Sequence, residues 1–145
     1  MKKILFTSLI ALSSISAFAT GGFYCVTETN ELVLEVSATT PRSFGAVLIE
    51  PTAIKLVQKN SAIPAELKSV DFSIKEIPQY WNSNDELKVL AYKENFDLDY
   101  NNVVTVMMET KYDEVSGKYV GNYTVKTDVN DNKFEISGPI TCDQE

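Results

Sequence analysis

KYVGNYTVKTDVNDNKFEISGPITC, residues 118–142, holds two alternating runs around a short polar stretch. Tyr119, Tyr123 and Val125 share one face of the first run, with Gly121 in the same row. Asp128 to Asn132 is a tight polar turn, and residues 133–142 resume the alternation. A side-chain period of two is that of a half-buried strand, and a helix would need a period near 3.6. Cys142 ends the second run.

The same period recurs towards the N-terminus. GGFYCVTE (21–28) reads as a first strand, and ELVLEVS (31–37) places Leu32, Leu34 and Val36 on one face. SFGAVLIE (43–50) predicts a further strand, ended by Pro51, and AIKLVQ (53–58) fits either strand or helix. SAIPAELK (61–68) predicts a short helical turn, since proline is tolerated in a first turn. VDFSIKEI (70–77) predicts a strand with Val70, Phe72 and Ile74 inward. PQYWNSND (78–85) reads as a polar loop, followed by strands over 86–94 and 102–110. About eight or nine short strands with regular turn signals predict an all-β domain, a single antiparallel β-sandwich or small barrel.

Two strands break the in/out rule. Leu90 and Tyr92 oppose Leu87, Val89 and Ala91, while Val103 and Met107 oppose Val104, Val106 and Met108. Both faces of these strands therefore want cover. Loops or the helical turn packed outside would supply it. The alternative is a partner surface, or a barrel interior holding a small apolar ligand beside Val89, Val104 or Met108.

The first residues set the compartment. Lys2 and Lys3 precede an apolar run over 4–18, and Ala17-Phe18-Ala19 has the spacing of a cleavage site. Residues 1–19 are thus expected to be a cleaved secretory signal peptide, leaving 20–145 as one β domain. Lysine outnumbers arginine twelve to one, which suggests a low-GC bacterial source. The expected location is periplasmic or secreted. Cys25 and Cys142 are an even pair in an oxidising compartment, and their separation fits neither a redox C-x-x-C motif nor paired metal ligands. They are predicted to form one disulfide joining the N- and C-terminal strands. Pro139, which donates no ladder hydrogen bond, suggests that the last strand lies at an edge.

The 145-residue chain carries a formal charge of −7. Without Lys2 and Lys3, 11 basic residues face 20 acidic ones, a charge of −9 that repels phosphate backbones and disfavours nucleic acid as a partner. No transmembrane segment is expected in residues 20–145. The chain has no histidine, which removes histidine-based triads and the usual zinc sites. No phosphate-cradling glycine motif occurs. A carboxylate pair remains open to glycoside chemistry, but the balance points away from an enzyme and away from any cofactor.

Two stretches carry candidate contacts. Tyr80 and Trp81 stand in an otherwise polar segment, where aromatics make good anchors for a protein or cell-envelope component. Asp97, Asp99 and Asn101 place oxygens at alternate positions, the arrangement that turns ligands towards calcium. Asn102 and Met108 stand where an EF-hand loop has Gly and Glu. Asp128, Asn130 and Asn132 repeat the spacing with Lys133 and Pro139 at those places. Both stretches fit turns better than calcium loops, since Asp and Asn side chains hydrogen-bond the local backbone. The expected function is non-catalytic binding through loops, with an apolar-ligand barrel and a secreted enzyme inhibitor or calcium-binding module as rivals.

Overall fold

The computed structural model describes residues 21–40, 42–43, 46–47, 49–83, 85–94 and 98–144. The expected signal segment and Asp97 lie outside these. In chain order the strands are β1 (Gly21–Glu28), β2 (Leu32–Thr40), β3 (Arg42–Ser43), β4 (Ala46–Val47) and β5 (Glu50–Gln58). A one-turn helix α1 (Ala65–Lys68) leads to β6 (Ser69–Ser73), and a 3-10 turn (Ile74–Glu76) leads to β7 (Gln79–Ser83). The remainder are β8 (Glu86–Glu94), β9 (Asn102–Asp113), β10 (Lys118–Val129) and β11 (Asn132–Gln144). Nine of these form one curled antiparallel sheet, a half-barrel, in the order β6-β5-β2-β1-β11-β10-β9-β8-β7, while β3 and β4 make a small separate hairpin.

Local chemistry fixes the turns. Asn130 and Asp131, between the paired residues Val129 and Asn132, take φ values of 46° and 68°. A two-residue hairpin connection of type I′ has positive φ at both positions, and Asn and Asp tolerate it. The repeated Asp/Asn spacing at 128–132 is therefore a hairpin turn. Between β9 and β10, the Asp113 carboxylate accepts the N–H groups of Val115 and Ser116 at 3.2 and 3.1 Å, and Gly117 takes a φ of 69°.

All ladders but one join strands that follow each other, apart from the small β3–β4 excursion. The exception is β1 with β11, the seam between an N-terminal meander (β1, β2, β5, β6) and a C-terminal one (β7–β11). Cys25 stands opposite Cys142 in this seam, and the two form a disulfide buried from solvent. Inward residues make one cross-strand row: Phe72, Ile54, Val36, Cys25, Cys142, Tyr119 and Tyr112. Phe23 and Tyr119 pack edge-on with ring centres 5.3 Å apart. The core continues through Leu32, Leu34, Leu56, Leu87, Val106 and Met108. Its burial is the main force holding the curl, since apolar area removed from water is worth roughly 25 cal/mol per Å².

The seam is short. It runs from Phe23–Gln144 to Val26–Thr141, and Pro139 lies just beyond it. So β11 is a central strand rather than an edge, but Pro139 falls where only β10 is its neighbour. Beyond the ladder, the Tyr123 ring lies over Gly138 and its hydroxyl hydrogen-bonds the Thr29 side chain. Burial nevertheless raises the Tyr123 pKa, with the Glu31 charge adding to the rise. At the same end, the Gln58 side chain accepts from the Thr127 hydroxyl at 2.8 Å and donates to the Leu67 carbonyl at 2.9 Å. This buried pair of bonds ties β10, β5 and α1 together, and Ile63 and Leu67 of the helical segment are buried there.

Four elements differ from expectation. Residues 43–50 form no single strand, because β3 and β4 fold back on each other. Pro51 lies inside β5 rather than ending a strand. It opposes Ala38 where the β2–β5 register shifts after Ser37, so its missing N–H falls at an irregularity. Ile74 is 62 % exposed instead of inward. A capping box accounts for this: the Glu76 carboxylate accepts both the Ser73 hydroxyl and the Ser73 N–H, turning the chain out of the strand. Finally, residues 79–83 are a strand and not a loop.

Two outcomes test this architecture. Replacing both Cys25 and Cys142 by alanine is expected to lower stability by about 4–5 kcal/mol in the loop-entropy account. Urea unfolding would read that loss, and a change below about 1 kcal/mol would mean that the seam holds without its crosslink. Gly121 lies so close to β9 that an added Cβ would stand 1.9 Å from the Glu109 carbonyl oxygen. Gly121→Ala is therefore expected to cost about 2 kcal/mol or more, measured the same way.

Candidate functional site

β7 is held to the sheet by pairing with β8: Gln79 opposes Leu90, Tyr80 opposes Val89 and Trp81 opposes Lys88. On the next ladder Leu90 opposes Met107, and Lys88 opposes Glu109. Directly opposed residues of an antiparallel pair share a face. Trp81, Lys88, Glu109, Leu90 and Met107 therefore lie together on the outer face of the sheet. Tyr80 belongs to the inner face with Val89 and Met108.

The polar composition of residues 78–85 predicts that Tyr80 and Trp81 share one loop. The structure sets them on opposite faces of an edge strand. Both are open to solvent, Trp81 at 59 % and Tyr80 at 46 %. Leu90 and Met107 are half-buried, and with Trp81 they frame an open hollow of about 370 Å³. These are the apolar residues on the second face of the two-faced strands. Neither the helical turn nor a loop among the described residues covers them: Leu67 of α1 is buried in the core instead. Val89, Val104 and Met108, which the rival ligand-carrier reading would place around a chamber, are packed within the core cluster.

The charge around the hollow is organised about one lysine. Lys88 Nζ lies 4.0 Å from a Glu86 carboxylate oxygen and 3.9 Å from one of Glu109. All three groups are substantially exposed, so these pairs add at most a few tenths of a kcal/mol each. Lys111 stands opposite Glu86 on the same face, so two lysines and two glutamates balance there. No protein-family model, curated protein or solved structure matches this chain. Its chemistry must be read from its own side chains.

The calcium candidate is only partly within the described residues, because Asp97 lies outside them. Asp99 is exposed, and the Asn101 carbonyl accepts the Asn130 N–H at 3.0 Å. Glu94, Asp99 and Tyr100 border a hollow of about 480 Å³. No group of three or more acidic, histidine or cysteine side chains placed to hold a metal occurs among the described residues. The Tyr100 hydroxyl is buried there without a hydrogen-bond partner, and burial together with the Glu66 charge raises its pKa.

Among the described residues, two carboxylates have displaced pKa values. Glu76 is lowered by its hydrogen bonds from the Ser73 hydroxyl and N–H, and Asp113 by those from Ser116 and Val115. A general acid working near neutrality needs the opposite displacement. Both residues serve turns, and neither borders the Trp81 hollow.

Trp81 is the chain's one tryptophan, so its emission reports this surface alone. Its fluorescence is expected to be that of a solvated indole. Caesium should quench it more efficiently than iodide at low salt, because the chain carries a formal charge of −7, and the difference should vanish at about 1 M salt. Stronger quenching by iodide would contradict the assigned field.

Proposed function

We propose that this chain is an extracytoplasmic, non-catalytic binding domain that recognises a protein partner through the outer face of β7, β8 and β9. The observation carrying the reading is the solvent-open Trp81 held beside Leu90 and Met107 on a paired strand. An exposed aromatic on a rigid backbone loses little conformational freedom on binding, and tryptophan is enriched among the residues that dominate interface energy. The chain's formal charge of −7 would favour a partner with basic residues.

The compartment is supported by the formed Cys25–Cys142 disulfide, which suits an oxidising environment. No helix among the described residues is long and apolar enough to cross a membrane. The signal-like sequence at residues 1–19 adds the periplasm or the medium as the destination. A carrier of small apolar ligands is less well supported, because the interior positions it would use are filled by the core.

The test is capture from the envelope fraction of the protein's own host, comparing immobilised residues 20–145 with their Trp81→Ala variant. Loss of a central aromatic is expected to weaken capture of a specific partner by about 2 kcal/mol, some thirtyfold. The variant should retain the far-UV spectrum and melting temperature, since Trp81 is exposed. Equal capture by the two proteins would remove the reading.

A further inference from the structure

The two edges of the sheet are finished differently. On the outer strand β6, the Asp71 carbonyl accepts the Lys93 Nζ of β8 at 2.8 Å, and β6 lies against β8 across the mouth of the curl. A charge in the strand, a lysine bonded to its backbone and a neighbouring element keep that edge from pairing. At the other edge, β7 has β8 on one side and no strand on the other among the described residues. Its sequence QYWNS has no charge, no proline and no glycine. The N–H and C=O groups on its free side form a template for another strand, and Tyr80 and Trp81 are exposed on its two faces.

The charge beside this edge decides what can add to it. On the outer face Glu86 stands opposite Lys111 and Lys88 opposite Glu109, so the strands behind β7 present balanced charge. An uncharged edge with a balanced flank selects neither a basic nor an acidic segment, and it does not repel its own copy. The chain's excess of acidic residues opposes self-association only at long range. Charges more than about 8 Å apart are largely screened at physiological ionic strength.

β7 is also self-complementary in register. Trp81 is the middle residue of its five. When two such strands run antiparallel about a twofold axis at this residue, Trp81 opposes Trp81 of the second copy. Gln79 then opposes Ser83 of the second copy, and Tyr80 opposes Asn82 of the second copy. Directly opposed residues share a face, so the two outer faces run together and the indoles become a cross-strand aromatic pair. On the inner face, the Asn82 amide Nδ2, buried without a hydrogen-bond partner, gains Tyr80 of the second copy as its neighbour. We infer that β7 is a dimerisation edge, through which two copies of this chain pair antiparallel about Trp81. The twofold pairing uses both free edges and closes at two copies, because β6 is guarded. A five-residue ladder buries little area, which makes the dimer weak and concentration-dependent. Pairing uses the backbone edge and leaves the outer face of β8 and β9 open, so it stands apart from the recognition of another protein proposed above.

The test is the mass in solution of residues 20–145. From about 10 µM to about 1 mM, sedimentation should show the average mass rising towards twice that of one chain. At about 1 M salt, where the net repulsion is screened, the dimer should be tighter. Amides of residues 79–83 should exchange more slowly as concentration rises, while those of 69–73 should not. Trp81→Lys sets two ammonium groups opposite each other at the axis and should weaken pairing at least about tenfold, with the melting temperature of the dilute protein unchanged. The mass of one chain throughout this range at both salt levels would overturn the inference. So would a dimer in which residues 79–83 stay unprotected, a dimer that loosens with salt, or one that Trp81→Lys leaves equally tight. If the chain stays monomeric yet captures an envelope protein through Trp81, the binding reading stands and the self-pairing alone falls.

Discussion

The pairing of β1 with β11 is the constraint on which the rest depends. Every other ladder in the large sheet can form between stretches of chain that follow one another. This one spans most of the described chain and rests on a short register, Phe23–Gln144 to Val26–Thr141. Without it there are two meanders, each with one apolar face and nothing to bury it against. With it the apolar faces become one curved surface, and Cys25 and Cys142 lie in the middle of the row that crosses it. The crosslink sits where the chain's loop-closure entropy is largest, which is where a covalent bond has the most effect on the unfolded state.

The seam also shapes the surface available for contact. Curling brings β6 against β8, so the sheet turns in on itself before its last strand. β7 is left projecting, paired on one side and open to water on both faces. A closed barrel would have no edge, and a flat sheet would have two equivalent ones. The half-barrel has one guarded edge and one unguarded edge. The candidate surface is thus a product of the architecture as much as of Trp81 itself.

Much of this was legible in the sequence because period-two patterns survive wherever one face is buried. Residues 118–142 gave the hairpin and its turn, and Leu32, Leu34 and Val36 gave the core face of β2. The cysteines gave the seam, since an oxidised pair so far apart has to join distant strands. The strand at 79–83 was missed because edge strands exposed on both faces carry no alternation: Tyr80 and Trp81 look alike to solvent. Ile74 was misplaced because the alternation continues past Ser73 in composition, while the Ser73–Glu76 capping box ends it in space. A serine followed three residues later by glutamate was the signal available. The outer patch of Leu90 and Met107 was visible as a second apolar face, but what lies over it depends on pairing with β7, which composition does not encode.

The order of strands has a consequence for topology. The start of β1 and the end of β11 lie side by side, and the segment 74–78 is the crossing between the two outer strands of the sheet. A circularly permuted chain, joined near Phe23 and Gln144 and opened within 74–78, would run β7 to β11, then β1, β2, β5 and β6. Every hydrogen-bonded neighbour in the nine-stranded sheet would then follow its partner along the sequence, interrupted only by the small β3–β4 hairpin. The natural order differs from that plain up-and-down ribbon by a single cut and a single join. In the permuted chain no ladder of that sheet would be distant, and local pairing of this kind speeds the folding of β proteins.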